Sequence, residues 1–176
     1  MRFELFKMSL ILCLALNYSC ASNKQVISKT ISLQLPSIKD NGLSLTLTPQ
    51  SELVVQQDDS KINHITQNKG QNLILKFESI KKTPKNIADG GYREVLFIEI
   101  PNQKQHINLA DLKDTKINIW FARFCFCRDY IGFHKIEEGQ LDIDLSKNTL
   151  KIKATIKFNN LPQVLNFIGQ DIHINP

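Results

Sequence analysis

Residues 141–158 read LDIDLSKNTLKIKATIKF, and this stretch decides the fold class. Apolar residues occupy every second position on both sides of the central SKN, which is the pattern of two half-buried β-strands joined by a turn. Asp142 and Asp144 are expected on the outer face, opposite Lys151 and Lys153, and cross-strand pairs of this kind help to fix the register. The segment therefore predicts an antiparallel hairpin.

The same alternation with a period of two recurs along the chain. It is seen in ISLQL at 31–35, LSLTL at 43–47 and LILKF at 73–77, whereas VLFIEI at 95–100 is apolar on both faces and is expected to be a central strand. About eight strands at short intervals predict an all-β protein, an antiparallel β-sandwich. A flattened β-barrel is the alternative, because alternation does not separate the two architectures.

Three other segments are not predicted as strands. Residues 58–70 are polar and are expected to form a loop, and residues 108–114 could form one helical turn. Residues 161–169 are predicted as a short helix that begins at Pro162 and is stopped by Gly169. The domain is thus expected to contain at most one or two short helices.

The most apolar segment outside the N-terminus is KINIWFARFCFCR at 116–128. As a strand it would have apolar residues on both faces. Such a strand is buried on both sides, or it turns its second face to a ligand or partner. This segment therefore contains the two cysteines on which any chemistry would depend.

Cys125 and Cys127 lie two residues apart in this segment, and three interpretations remain open. They could be two small buried apolar side chains of a core strand, since free cysteine is among the most buried residue types. They could form an exposed redox pair or a disulfide, which requires a bulge or turn, because residues two apart on a regular strand are about 6.6 Å apart. They could also bind Zn or Cu together with His134, if the turn at 129–132 returns that imidazole to the two sulfurs.

The N-terminus has the layout of a secretory signal. Arg2 and Lys7 precede the uninterrupted apolar run MSLILCLAL at 8–16, which is too short to span a bilayer. Residues 1–19 are therefore predicted to be a cleaved signal peptide. Cys13 would leave with it, so the cysteine count does not indicate a disulfide-stapled scaffold.

The segment LNYSC at 16–20 resembles the lipobox of bacterial lipoproteins, in which a small residue precedes the cysteine that receives the lipid. Ser19 matches that position, whereas Asn17 and Tyr18 depart from the usual residues. The resemblance implies that Cys20 carries several acyl chains such as palmitate, which together make a stable membrane anchor. It also implies a place at the outer membrane, facing the periplasm. Ordinary cleavage after Ala21 or Ser22 is the alternative and would give a secreted soluble protein.

The expected organisation is a signal peptide at 1–19, a lipid-anchored tether at 20–29 and one sandwich domain at 30–176. The chain has a formal net charge of +5, with lysines spread among acidic residues, which does not favour nucleic-acid binding. No catalytic motif is found, and no cofactor is expected apart from the Zn or Cu alternative.

We therefore expect a non-catalytic binding or structural module of the cell envelope, attached to a membrane through its lipid. Its protein or small-molecule partner is not predicted. The alternatives are a periplasmic metal or thiol-redox protein that uses Cys125, Cys127 and His134, and a barrel that carries an apolar ligand.

Overall fold

The structure is a computed structural model, and it describes residues 25–39, 41–81, 90–113, 117–127, 130–158 and 162–174. These residues form ten strands and no helix. The strands are β1 (Ile31–Ile38), β2 (Asn41–Gln57), β3 (Asn63–Ile80), β4 (Tyr92–Pro101), β5 (Gln105–Leu109), β6 (Asn118–Cys125), β7 (Gly132–Lys135), β8 (Glu138–Leu145), β9 (Thr149–Lys157) and β10 (Phe167–His173).

The strands form two antiparallel sheets. The large sheet has the order β1-β2-β3-β4-β6-β7, and the small sheet has the order β10-β9-β8-β5. The two sheets are not closed into a barrel, so the predicted sandwich is confirmed and the barrel alternative is wrong.

The hairpin at 141–158 forms with the predicted register. Asp142 lies opposite Lys153, and Asp144 lies opposite Lys151, so the apolar residues of both strands share the inner face. Lys151 nevertheless makes its ion pair with Asp171 on the neighbouring β10, at 3.7 Å. The predicted register is therefore observed, although the described residues show no ion pair between the two strands of the hairpin.

The space between the sheets is filled by one hydrophobic core, called here the inter-sheet core. Both sheets contribute fully buried side chains to it, for example Phe77, Leu96 and Phe121 from the large sheet and Ile143 and Leu150 from the small sheet. Burial of apolar area at about 25 cal/mol per Å² is the main favourable contribution to folding of such a sandwich. Carriage of an apolar ligand stays a prediction, although the barrel that was expected to enclose the ligand is not formed.

A second, smaller cluster lies on the opposite face of the large sheet. Residues 51–57 of β2 and 63–69 of β3 continue the pairing of these two strands beyond a register shift at Pro49–Ser51. We call this two-stranded extension the arm. In this arm Leu53 and Ile65 pack on the cluster formed by Ile74, Val95, Phe97, Trp120 and Ala122. The arm explains why the segment at 116–128 is apolar on both faces.

Three expectations for local structure were wrong. Residues 63–70 belong to β3 and are not part of a loop, because residues 63–69 pair with β2 along the arm. Asn108 and Leu109 end β5 and make no helical turn. Residues 167–169 begin β10, where Ile168 is buried and Phe167 exposed, so pairing with β9 determines their conformation. Residues 114 and 161 of the two predicted helical segments lie outside the described residues.

The N-terminal segment is held at one end of the sandwich. Ile27 is fully buried in the inter-sheet core, and its backbone N–H and carbonyl bond to the side chain of Asn102 at 3.0 and 2.7 Å. The sandwich thus includes Ile27, three residues before the expected boundary at residue 30. Residues 1–24, with the predicted signal peptide and Cys20, lie outside the described part. No helix among the described residues is long and apolar enough to cross a membrane.

Candidate functional site

The inter-sheet core ends in a row of polar residues at the end of the sandwich where β4 begins. Ser79, Glu94 and Arg123 lie side by side on β3, β4 and β6. Each is two residues from a side chain of the inter-sheet core, namely Phe77, Leu96 and Phe121, and so faces the small sheet. We call these three residues the polar row.

Glu94 is the centre of this row and is fully buried. Its Oε2 accepts the backbone N–H groups of Val164 and Leu165, both at 2.8 Å, and its Oε1 accepts a bond from Arg123 Nη2 at 3.4 Å. Arg123 Nη2 also donates to the carbonyl of Pro162 at 2.6 Å. Together they form a latch, called here the Glu94 latch, that fastens residues 162–165 to the large sheet.

Tyr92 completes the latch, because its hydroxyl donates a hydrogen bond to Glu94 Oε1. Partial burial, followed by the hydrogen bond and charge of the Glu94 carboxylate, raises the pKa of Tyr92 to about 12. Because the pKa lies far above neutrality, Tyr92 remains a protonated donor there. Arg123 lies 5.8 Å from the centre of the Tyr92 ring.

The latch contains buried polar atoms that have no partner. Among the described residues, the buried side-chain nitrogen and oxygen atoms without a hydrogen bond are Ser79 Oγ, Arg123 Nε, His134 Nε2 and Gln163 Nε2. All four belong to the polar row or to segments that pack on it. Buried polar atoms are almost always paired, and the exceptions commonly mark a functional feature or an ordered water. We therefore take this end of the sandwich as the candidate functional site.

His134 packs beside the latch on β7. Its ring lies 4.5 Å from the ring of Phe158 and 6.4 Å from that of Tyr130, measured between centroids. Burial lowers the pKa of His134, and the positive charge of Arg123 lowers it further. His134 is therefore neutral at pH 7.

This environment predicts that the protein loses stability in mild acid. Since the pKa of His134 in the folded protein lies below its ordinary value of 6.5, the unfolded chain binds the proton more readily. The contribution of His134 is present above about pH 6.5 and is lost as the pH falls through the lower folded value. We expect the thermal unfolding midpoint to fall between pH 7.5 and 5, and to fall less in a His134→Gln variant.

The matched control for this measurement is His173→Gln, which removes an exposed imidazole from β10. We expect this control to retain the acid-induced fall of the parent protein. An identical fall in the parent and in the His134→Gln variant would contradict the assignment to His134.

Cys125 and Cys127 are joined by a disulfide directly beyond the polar row, with their Cα atoms 5.3 Å apart. Strand β6 ends at Cys125 and the chain bends at Phe126, which supplies the turn that such a bridge requires. Phe126 is 86% exposed. Cys125 lines an open groove of about 520 Å³, together with Ile80, Lys81, Gly91, Tyr92, Arg93, Phe124 and Phe126.

The structure brings the two cysteines together but leaves His134 apart from them. His134 pairs with Phe121, which is four positions before Cys125, or about 13 Å along the strand. No group of three His, Cys, Asp or Glu residues in the described part is placed to hold a metal ion. The disulfide also leaves no thiolate to act as a ligand. Metal binding by Cys125, Cys127 and His134 stays a prediction, and it would need a reduced and rearranged form.

The Glu94 latch was not predicted from the sequence. Two signals were present. Glu94 has the same strand parity as Leu96, Ile98 and Ile100, which places its carboxylate on the inner face. Arg123 is the only charged residue between Lys116 and Arg128. Glu94 and Arg123 thus carry opposite charges at inward-facing positions of two strands that are predicted to be central. Because buried charges are normally paired, this pattern indicates a buried ion pair.

Comparison with known proteins gives no relative. No protein-family model, no curated protein and no solved structure matches the chain. The class is therefore defined by the fold and site alone: an all-β sandwich with a buried carboxylate–guanidinium latch and a surface disulfide at one end.

Proposed function

We propose that this protein is an exported, non-catalytic binding module of the bacterial cell envelope, attached to a membrane by acyl chains on Cys20. Its place is the outer membrane, facing the periplasm. Its binding end is the end that contains the Glu94 latch and the groove beside Cys125.

The separation of the two ends of the sandwich is the observation that carries this proposal. Ile27 is fixed to Asn102, directly after β4 ends at Pro101, whereas the candidate site lies where β4 begins at Tyr92. A strand of ten residues spans about 30 Å at roughly 3.3 Å per residue. An anchor that precedes Ile27 therefore leaves the candidate site on the side away from the membrane, accessible to a partner.

The lipid anchor is tested by acylation of the full chain in a bacterial host. We expect labelled palmitate to be incorporated into the parent protein and into a Cys13→Ser variant, since Cys13 leaves with the signal peptide. A Cys20→Ser variant is expected to lose at least nine-tenths of the label and to leave the membrane fraction.

Mass spectrometry of the mature N-terminus decides between the two cleavage sites. The proposal requires an acylated Cys20 as the first residue. An unmodified N-terminus at Ser22 or Asn23 would contradict anchoring and would leave a secreted soluble module.

A further inference from the structure

We propose that the Cys125–Cys127 disulfide is a thiol–disulfide exchange site that reacts with an external dithiol while the protein stays folded. This activity is independent of the lipid anchor on Cys20 and goes beyond binding. It concerns a bond at the surface and not the interior of the sandwich.

The position of the disulfide in the sequence indicates that stability is not its main role. The two cysteines are two positions apart, so the bridge closes a loop of three residues. A loop this short constrains the unfolded chain less than a long one does, and the stabilisation expected from a disulfide grows with loop length. The fold is already held by the inter-sheet core and the Glu94 latch.

The disulfide is accessible at the protein surface. Cys125 and Cys127 are both half-exposed, and Cys125 lines the open groove at the end of β6. The side chain between them, Phe126, is almost fully exposed and leaves the bridge uncovered by its own loop. Thiolate attack needs such access to a sulfur.

The charges of the groove favour the reaction. Among its described lining residues two are cationic, Lys81 and Arg93, and none is acidic. Arg93 is partly neutralised by Glu78 at 3.3 Å, which leaves Lys81 as the main positive charge. Cations close to sulfur stabilise the thiolate, and the exchange reaction develops thiolate charge on the attacking and leaving sulfurs.

The exchange proceeds in two balanced steps. A thiolate of the external dithiol attacks Cys125 Sγ, the Cys125–Cys127 bond breaks, and its electron pair leaves on Cys127 Sγ, which takes a proton from water. The second thiol of the dithiol then loses its proton and attacks its partner sulfur in the mixed disulfide, and Cys125 leaves as a thiolate that is protonated in turn. Overall, two electrons and two protons pass from the dithiol to the protein.

The test is the rate of reduction of the native, full-length mature protein by dithiothreitol, followed by alkylation of the new thiols and mass spectrometry. We expect reduction at least tenfold faster than global unfolding, which is measured by pulse proteolysis under the same conditions, and an unchanged circular dichroism spectrum. Reduction no faster than unfolding would overturn the proposal.

Charge variants test the role assigned to the groove. A Lys81→Gln variant is expected to react two- to threefold more slowly at low salt, whereas Lys157→Gln, an exposed change on β9, should react at the parent rate. Equal rates for the parent and the Lys81→Gln variant would contradict the electrostatic part of the proposal.

The position of attack is tested with reduced glutathione, a monothiol that gives a mixed disulfide with the attacked sulfur. The native protein is treated briefly, quenched in acid and mapped by mass spectrometry, and we expect the glutathione adduct on Cys125 at least threefold more often than on Cys127. An adduct mainly on Cys127 would overturn the assignment of Cys125 as the attacked sulfur.

Discussion

Replacement of Glu94 by glutamine is expected to lower the free energy of unfolding by about 3–5 kcal/mol, the range for breaking a buried ion pair by removing one partner. The carboxylate is fully buried and accepts bonds from two backbone N–H groups, from Arg123 and from Tyr92. Glutamine has nearly the same shape but carries no charge, so the buried guanidinium of Arg123 loses its counter-ion. Such a loss is a large part of the 5–15 kcal/mol that stabilises a typical domain.

Chemical denaturation followed by circular dichroism measures this effect. Glu138→Gln is the matched control, because Glu138 is exposed at the start of β8, and its change should stay within about 0.5 kcal/mol. A loss below about 1 kcal/mol for Glu94→Gln would show that the latch contributes little to stability.

A double variant separates the ion pair from the rest of the latch. Glu94→Leu together with Arg123→Leu removes both charges, and we expect its loss to be clearly smaller than the sum of the two single losses. Additive losses would mean that Glu94 and Arg123 act independently, with Glu94 acting only as an acceptor for Val164 and Leu165.

The parts of the fold that the sequence predicted are those in which local pattern and burial agree. The hairpin at 141–158 alternates strictly because one of its faces lies on the inter-sheet core and the other in solvent. The arm at 63–70 was missed because most of its side chains are exposed on both faces, so the period-two signal is absent there. Within residues 63–70, only Ile65 marks the contact with the second cluster, which contains Ile74 and Trp120.

The candidate site depends on register and on contacts between the sheets, which a single sequence does not specify. The position of His134 shows this directly. The β6–β7 pairing begins with Arg123 opposite Gly132, so His134 falls opposite Phe121 and beside Phe158 rather than near the cysteines. The latch likewise needs residues 162–165, which are about 70 positions from Glu94 and meet it only in the folded sandwich.

Substitution of Gly139 by alanine is expected to have an effect of similar size, about 2–6 kcal/mol, through the backbone rather than through charge. Gly139 has φ = 140°, and a Cβ atom there would overlap the carbonyl oxygen of Thr155 on β9. Strain in this region of φ costs about 1–3 kcal/mol, and the overlap with a backbone atom adds an overpacking cost of about 1–3 kcal/mol. Because Gly139 lies at the start of the β8–β9 pairing, relief of the clash would pull apart the hairpin from which the fold class was inferred.

Gly91→Ala is the matched control, because no atom lies within 4 Å of the position that its Cβ would occupy. Its expected change is within about 1 kcal/mol, and denaturant midpoints of the two purified variants provide the comparison. If Gly139→Ala does not accumulate as folded protein, hydrogen exchange on the parent chain under mild denaturant replaces it: the amides of β8 and β9 should open together with the global transition. In the exchange experiment, early and separate opening of these strands would contradict the view that the hairpin is part of the cooperative core. In the denaturation experiment, an unchanged midpoint for Gly139→Ala would contradict the close contact with Thr155.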